Sequence, residues 1–214
     1  MDSRRFLLDR VKVAIDAQSG EHREQARLRD WCKIPRTYRQ TRALEQAERI
    51  RLFEERIRHY NATTYTCSGD VRFHIAQILS ARHKRVLIVA PGFPNHWLPE
   101  GFLFIPDENL SNQHLNSSDG VITCCTLAIA LTGTLVIQSS SEQGRRAATL
   151  IPDYHLCILR KEDIVEVVPE AIRKLESAKA RPLTFISGPS ATVDIEMTRV
   201  GGVHGPRTLE VLII

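Results

Sequence analysis

The stretch Ser187–Pro206, SGPSATVDIEMTRVGGVHGP, gathers residue types that hold small anions. Gly188-Pro189 marks a turn, because glycine admits positive φ and proline fixes its own. Ser190 and Thr192 are N-cap types. Asp194 and Glu196 fall just beyond them, where carboxylates complement a helix dipole. The pattern predicts a strand over 182–186, a tight turn and a short helix. That helix ends at Gly201-Gly202-Val203-His204-Gly205-Pro206, ahead of a last strand over 209–214. A helix start with free N–H groups and hydroxyls can hold a phosphate or a carboxylate. A capped structural helix would show the same residues.

Other segments add chemistry of the same kind. Thr132-Gly133-Thr134 lies between two apolar runs. Glycine there permits close backbone approach, and the hydroxyls and N–H groups can bind a carboxylate or phosphate, or simply close a tight turn. Arg145-Arg146 ends the polar loop that starts at Ser139, and a guanidinium recognises such anions bidentately. Arg146 adjoins the apolar run 147–151 and is the stronger candidate. His155 and His204 have the side chain that titrates near neutral pH, so either suits a general base or a structural role. Cys124-Cys125 suits core packing, because a thiolate would need a base or cation beside it. The eight histidines form no HxH, HExxH or His/Cys cluster, so no metal site is expected.

The elements that must position these groups follow from hydrophobic spacing. Residues 3–17 read as a helix, and residues 41–60 as a clearer one, with Leu44, Ala47, Ile50, Phe53 and Ile57 on one face. From there strands alternate with helices. Strands are expected at 63–67, 85–90, 101–105, 121–125, 134–138 and 154–159. Helices are expected over 70–83 and within 163–178, with 127–131 a further helical candidate and 110–115 a single turn. Such alternation predicts an α/β fold, a mostly parallel sheet flanked by helices. The division expected is an N-terminal helical segment over 1–60 and an α/β core over 61–214.

Gly120–Ser141 carries no charge over 22 residues. Its threonines, serines and β-branched residues fit two buried strands rather than a membrane span. The first sixty residues hold 15 Lys/Arg against 10 Asp/Glu, and the rest of the chain is nearly neutral. The arginines over 23–42 are interleaved with acids and with only Trp31 and Tyr38. This is a solvated or partner-facing arm rather than a nucleic-acid binder. Five cysteines without a CxxC pair argue against a disulfide framework or a cluster held by this chain. With no apolar h-region near Met1, a cytoplasmic location is expected.

Taken together, these stretches resemble the lactate utilization protein C family, of LUD type. The residues that carry the likeness are Asp119–Thr123, Leu127–Ala130 with Thr132-Gly133-Thr134, and Gly144-Arg145-Arg146 with Leu150–His155. They continue in Ser187–Thr192 with Asp194-Ile195-Glu196, and in Arg199-Val200 with Gly202–Arg207. The resemblance covers roughly 61–214. It implies a fold like that of the ribose-phosphate isomerase, glucosamine-phosphate deaminase and CoA-transferase group. It further implies a subunit role in oxidising L-lactate to pyruvate, with iron–sulfur clusters carried by partner proteins and no cofactor in this chain. A small carboxylate or phosphate-bearing ligand fits the same residues. The alternative on the same fold is a stand-alone enzyme or binder for a phosphorylated or CoA-linked metabolite. One departure concerns the turn at Gly133. The family's usual Ala-Glu-Thr-Gly-Thr is Ala130-Leu131-Thr132-Gly133-Thr134 here, so a carboxylate is missing at Leu131.

Overall fold

A computed structural model describes residues 3–16, 21–35, 37, 43–178, 181–193, 199–201 and 205–214. The chain divides into two compact units, Met1–Tyr38 and Arg39–Ile214. The first holds α1 (Ser3–Asp16) and α2 (Glu21–Lys33). Helix α2 lies largely within the arginine-rich stretch read from the sequence as a solvated or partner-facing arm. It stops just before Pro35, which lacks the N–H that another turn needs. Leu7, Leu8, Val11, Leu28 and Trp31 are exposed on this unit.

The second unit opens with α3 (Gln46–His59), whose Glu45 and Glu48 form a reciprocal capping box. Then come β1 (Thr63–Thr66), α4 (Val71–Ala81), β2 (Val86–Val89), β3 (Leu103–Pro106), α5 (Asn112–Ser117) and β4 (Gly120–Cys124). β5 (Leu127–Ile129), β6 (Thr134–Gln138), α6 (Arg146–Leu150) and β7 (Tyr154–Leu159) follow. The rest is β8 (Ile164–Val165), α7 (Val168–Lys174), β9 (Leu183–Ile186), β10 (Ala191–Val193), β11 (Arg199–Gly201) and β12 (Thr208–Ile213).

Six strands form one sheet in the order β1-β12-β7-β4-β2-β3, and every neighbouring pair is parallel. The central strands β7 and β12 are buried along almost their whole length, as a parallel sheet covered on both faces requires. On one face Phe53 and Ile57 of α3 pack with Cys157, Leu159, Val211 and Ile213. On the other, Ile75, Ile78 and Leu79 of α4 pack with Leu87, Ile122, Leu156 and Leu212. The chain leaves β2 for β3 on one side, but from β4 it returns to this sheet, after β5, β6 and α6, at β7 on the other.

A smaller sheet, β8-β5-β6-β9, contributes Ala128, Leu135 and Ile137 to the α3 face of the core. Here two expectations need correction. Leu127–Ile129 is a buried strand, not a helix, because it pairs with β6 and β8 on either side. The helix expected within 163–178 is α7, which starts with Pro169 in its first turn after Ile164-Val165 has paired with β5. The helix expected after Ser190 is replaced by an antiparallel pair, with Ala191 opposite Gly201 and Val193 opposite Arg199. β-Branched Thr192, Val193 and Val200 favour that extended pairing over a helix.

Candidate functional site

The antiparallel register of β6 and β9 sets Leu135 opposite Ile186, so the bend before β6 stands beside the bend after β9. Thr134 Oγ1 lies 2.8 Å from Ser187 Oγ and 2.8 Å from Thr132 Oγ1. Both bends press on the end of α3. Gly133 has φ +60°, and a Cβ there would sit 2.6 Å from the Ile57 backbone nitrogen. Gly188 has φ +91°, and a Cβ there would sit 2.8 Å from the Tyr60 carbonyl oxygen. Only glycine fits either place. The two bends therefore lie together, as bends capable of binding one ligand must.

They do not line the same hollow. A cavity of about 290 Å³ is bounded by Arg146, Thr149, His155, Ser187, Gly188 and Ser190, among others. Thr132, Gly133 and Thr134 lie outside that lining. The cavity sits at the amino ends of β7 and β12, with the exit of β9 along its wall. Ser190 donates its N–H to the Pro206 carbonyl at 2.8 Å, which ties the turn to the approach of β12. Thr192 is in β10 opposite Val200, so no helix start offers its N–H groups there. Asp194, Glu196 and His204 lie outside the described residues.

The adjacent arginines separate cleanly. Arg145 is bound to the buried Asp107 by two bonds, Nε to Oδ2 at 2.8 Å and Nη2 to Oδ1 at 2.9 Å, and also donates to the Leu110 carbonyl. The pairing holds the Arg145 pKa above its ordinary value, chiefly through the Asp107 bond. Arg146 is exposed at the cavity and, among the described residues, makes no side-chain hydrogen bond or ion pair. Its guanidinium is available for a bidentate bond to a carboxylate or phosphate.

His155 is buried, with Nε2 2.8 Å from Thr123 Oγ1 on the neighbouring strand β4. Burial lowers its pKa to about 4, so it is neutral at physiological pH. A neutral imidazole with so low a pKa is a poor general base near pH 7 and a good fixed hydrogen-bonding wall.

Three buried carboxylates escaped the sequence reading: Asp107, Glu166 and Glu210. Each is occupied by structure. Glu166 Oε2 accepts the N–H groups of Ala43 at 2.6 Å and Leu44 at 2.8 Å, just ahead of α3. Glu210 accepts from Tyr154 Oη at 2.6 Å, Tyr65 Oη at 2.9 Å and Arg82 Nη2 at 2.6 Å. Burial, and then Glu210, raise the Tyr154 pKa strongly. The only signal for Glu210 in the sequence was a lone acid inside the apolar run 209–214.

Cys124 is pushed up to about 12 by burial, and Cys125 rises beside Cys157, so these thiols are neutral packing groups. Among the described residues no group of three or more His, Cys, Asp or Glu stands ready for a metal ion. Nor, among them, is any helix long and apolar enough to cross a membrane.

Comparison with known proteins places this geometry in context. A family model described as the LUD domain matches residues 105–214. The chain is 42% identical over 175 residues to lactate utilization protein C of Deinococcus radiodurans, across 80% of this chain and 82% of that protein. It is 37% identical over 105 residues to lactate utilization protein C of Shouchella clausii, across 47% of this chain and 45% of that protein. Among solved structures, a DUF162 family protein from Deinococcus radiodurans superposes with a TM-score of 0.70 at 36% identity, covering 80% of this chain and 99% of that chain.

Proposed function

We propose a function from one premise: this chain belongs to the LUD domain family. Its relatives are named for lactate utilization, and this chain serves lactate utilization as well. Within that role it is a subunit of a cytoplasmic system that oxidises L-lactate to pyruvate. The electrons pass to iron–sulfur clusters in partner proteins, and this chain supplies a binding site for the small carboxylate.

The observation that carries the reading is Arg146 beside the Ser187–Ser190 turn, on a cavity of about 290 Å³. Lactate and pyruvate are carboxylates, and a guanidinium that pairs with no side chain among the described residues is the group that binds one most strongly. Thr149 and Ser190 add hydroxyls at the same wall. His155, neutral and fixed by Thr123, adds a polar surface without a competing charge.

The test is genetic. A strain lacking this gene, and with no other lactate oxidase, is grown on L-lactate as sole carbon source. The expected result is lost growth, restored by the wild-type gene and poorly by Arg146→Ala. Undiminished growth of the deletion strain overturns the proposal. Affinity purification from lactate-grown cells should recover iron–sulfur proteins with the wild-type chain.

A further inference from the structure

We propose that the crevice outside the carboxyl ends of β2, β4 and β7 is a second binding site, built for a small zwitterion of amino-acid size. Its place in the sheet is the first reason. β2 and β4 are parallel neighbours, yet the next strands that follow them in this sheet, β3 and β7, lie on opposite sides. Diverging connections open a crevice at the carboxyl ends of the two strands, and open α/β sheets bind ligands there. A cavity of about 240 Å³ occupies that position. Trp97 enters it from the segment after β2, Cys124 and Thr126 from the end of β4, and Arg160 from the end of β7. It lies about 16 Å along β7 from His155, five residues away, so it is not the Arg146 cavity.

The charges are the second reason. The Arg160 guanidinium lies over the Trp97 ring, 5.7 Å from its centroid. Among the described residues it makes no hydrogen bond or ion pair. Glu142 and Asp163 face the same cavity, and neither closes on Arg160. Burial, and then Glu162, raise the Asp163 pKa above its ordinary value, and the nearby Arg160 guanidinium only partly opposes them. Opposite charges thus share one hollow without satisfying each other.

Gln143 supplies a fixed donor. Its Oε1 accepts from Thr126 Oγ1 at 2.9 Å and from the Gln138 N–H at 2.8 Å. That leaves the amide NH₂ to donate into the cavity. A simple anion would meet two carboxylates, and a simple cation would meet the guanidinium. A ligand with a carboxylate for Arg160 and Gln143, and an ammonium for Glu142 and Asp163, satisfies every group. Neutral Cys124 and Cys125, with Ile158, leave an apolar floor for a short side chain.

The test is isothermal titration of the full chain with each of the common L-amino acids, then with the N-acetyl and primary amide forms of the best binder. At least one amino acid binds, and blocking either end weakens it about tenfold or more. Arg160→Gln and Asp163→Asn each weaken it about 10–100-fold while circular dichroism stays native. The proposal fails if no amino acid binds, if the N-acetyl form binds as well as its parent, or if Arg160→Gln keeps wild-type affinity. Growth on lactate plays no part in this measurement, so it stands or falls apart from the role proposed above.

Discussion

Thr134 Oγ1 sits 2.8 Å from Ser187 Oγ, and this contact joins the entry of β6 to the exit of β9. Thr132 bonds to the same Thr134 hydroxyl at 2.8 Å. The three hydroxyls form a short chain that spends its hydrogen bonds internally. Thr134 is therefore a fastening between two strands, and the ligand wall begins only at Ser187. Thr134→Val should lower stability by about 1–2 kcal/mol, because it removes one hydroxyl from two nearly buried bonds. Urea denaturation reads that loss. Binding of pyruvate at the Arg146 cavity should stay within about twofold of wild type, and a tenfold loss would return the Thr132–Thr134 bend to the site.

The glycines of the two bends answer to the same helix end. At Gly188, positive φ and the closeness of Tyr60 both exclude a side chain. At Gly133 the obstacle is the backbone of Arg56 and Ile57, which cannot rotate away. Gly133→Ala and Gly188→Ala should each cost about 2–4 kcal/mol, combining strained φ with overpacking. Gly69→Ala is the control. Its φ is +107°, but nothing stands within 4 Å of the added carbon. It should cost less than either, about 1 kcal/mol, in the same urea series.

Neighbouring arginines should give opposite phenotypes. Removing Arg145 leaves Asp107, only 7% exposed, with the Leu110 N–H at 3.1 Å as the remaining donor to its side chain among the described residues. Arg145→Ala should cost about 2 kcal/mol, moderated by the partial exposure of the arginine. Arg146→Ala should change stability by under about 0.5 kcal/mol and weaken carboxylate binding at least about tenfold. Thermal melts and a pyruvate titration of both variants decide this. Equal stability losses would mean that Arg146 is structural.

Local patterns foretold much of this, and long-range partnerships did not. The apolar face of α3 was readable because Phe53 and Ile57 recur at helical spacing and are fully buried. β2, β7 and β12 were readable as continuous apolar runs. Leu127–Ile129 was not, since three buried residues carry no period that separates strand from helix. After Ser190, cap-type residues suggested a helix that cross-strand pairing overrode. The roles of Asp107, Glu166 and Glu210 were hidden because their partners lie 38, about 122 and 56 or more residues away. No local spacing encodes that Arg145 serves Asp107 while Arg146 faces the cavity.

The buried histidine makes stability depend on pH in a definite direction. Burial holds the His155 pKa to about 4 in the native state, while an unfolded histidine titrates near pH 6.5. Between those values the unfolded chain binds the extra proton, so stability falls as pH falls. Above about pH 7 both states are neutral and the full stability is present. Below about pH 4 both are protonated and the loss is complete, at about 3 kcal/mol. His155→Asn cannot titrate and keeps an amide near Thr123. Urea unfolding of both proteins at about pH 7.5 and about pH 4.5 separates this term from the carboxylates they share. Wild type should lose about 2–3 kcal/mol more than the variant over that span. Parallel losses in the two proteins would mean that His155 is not held neutral by its burial between β4 and β7.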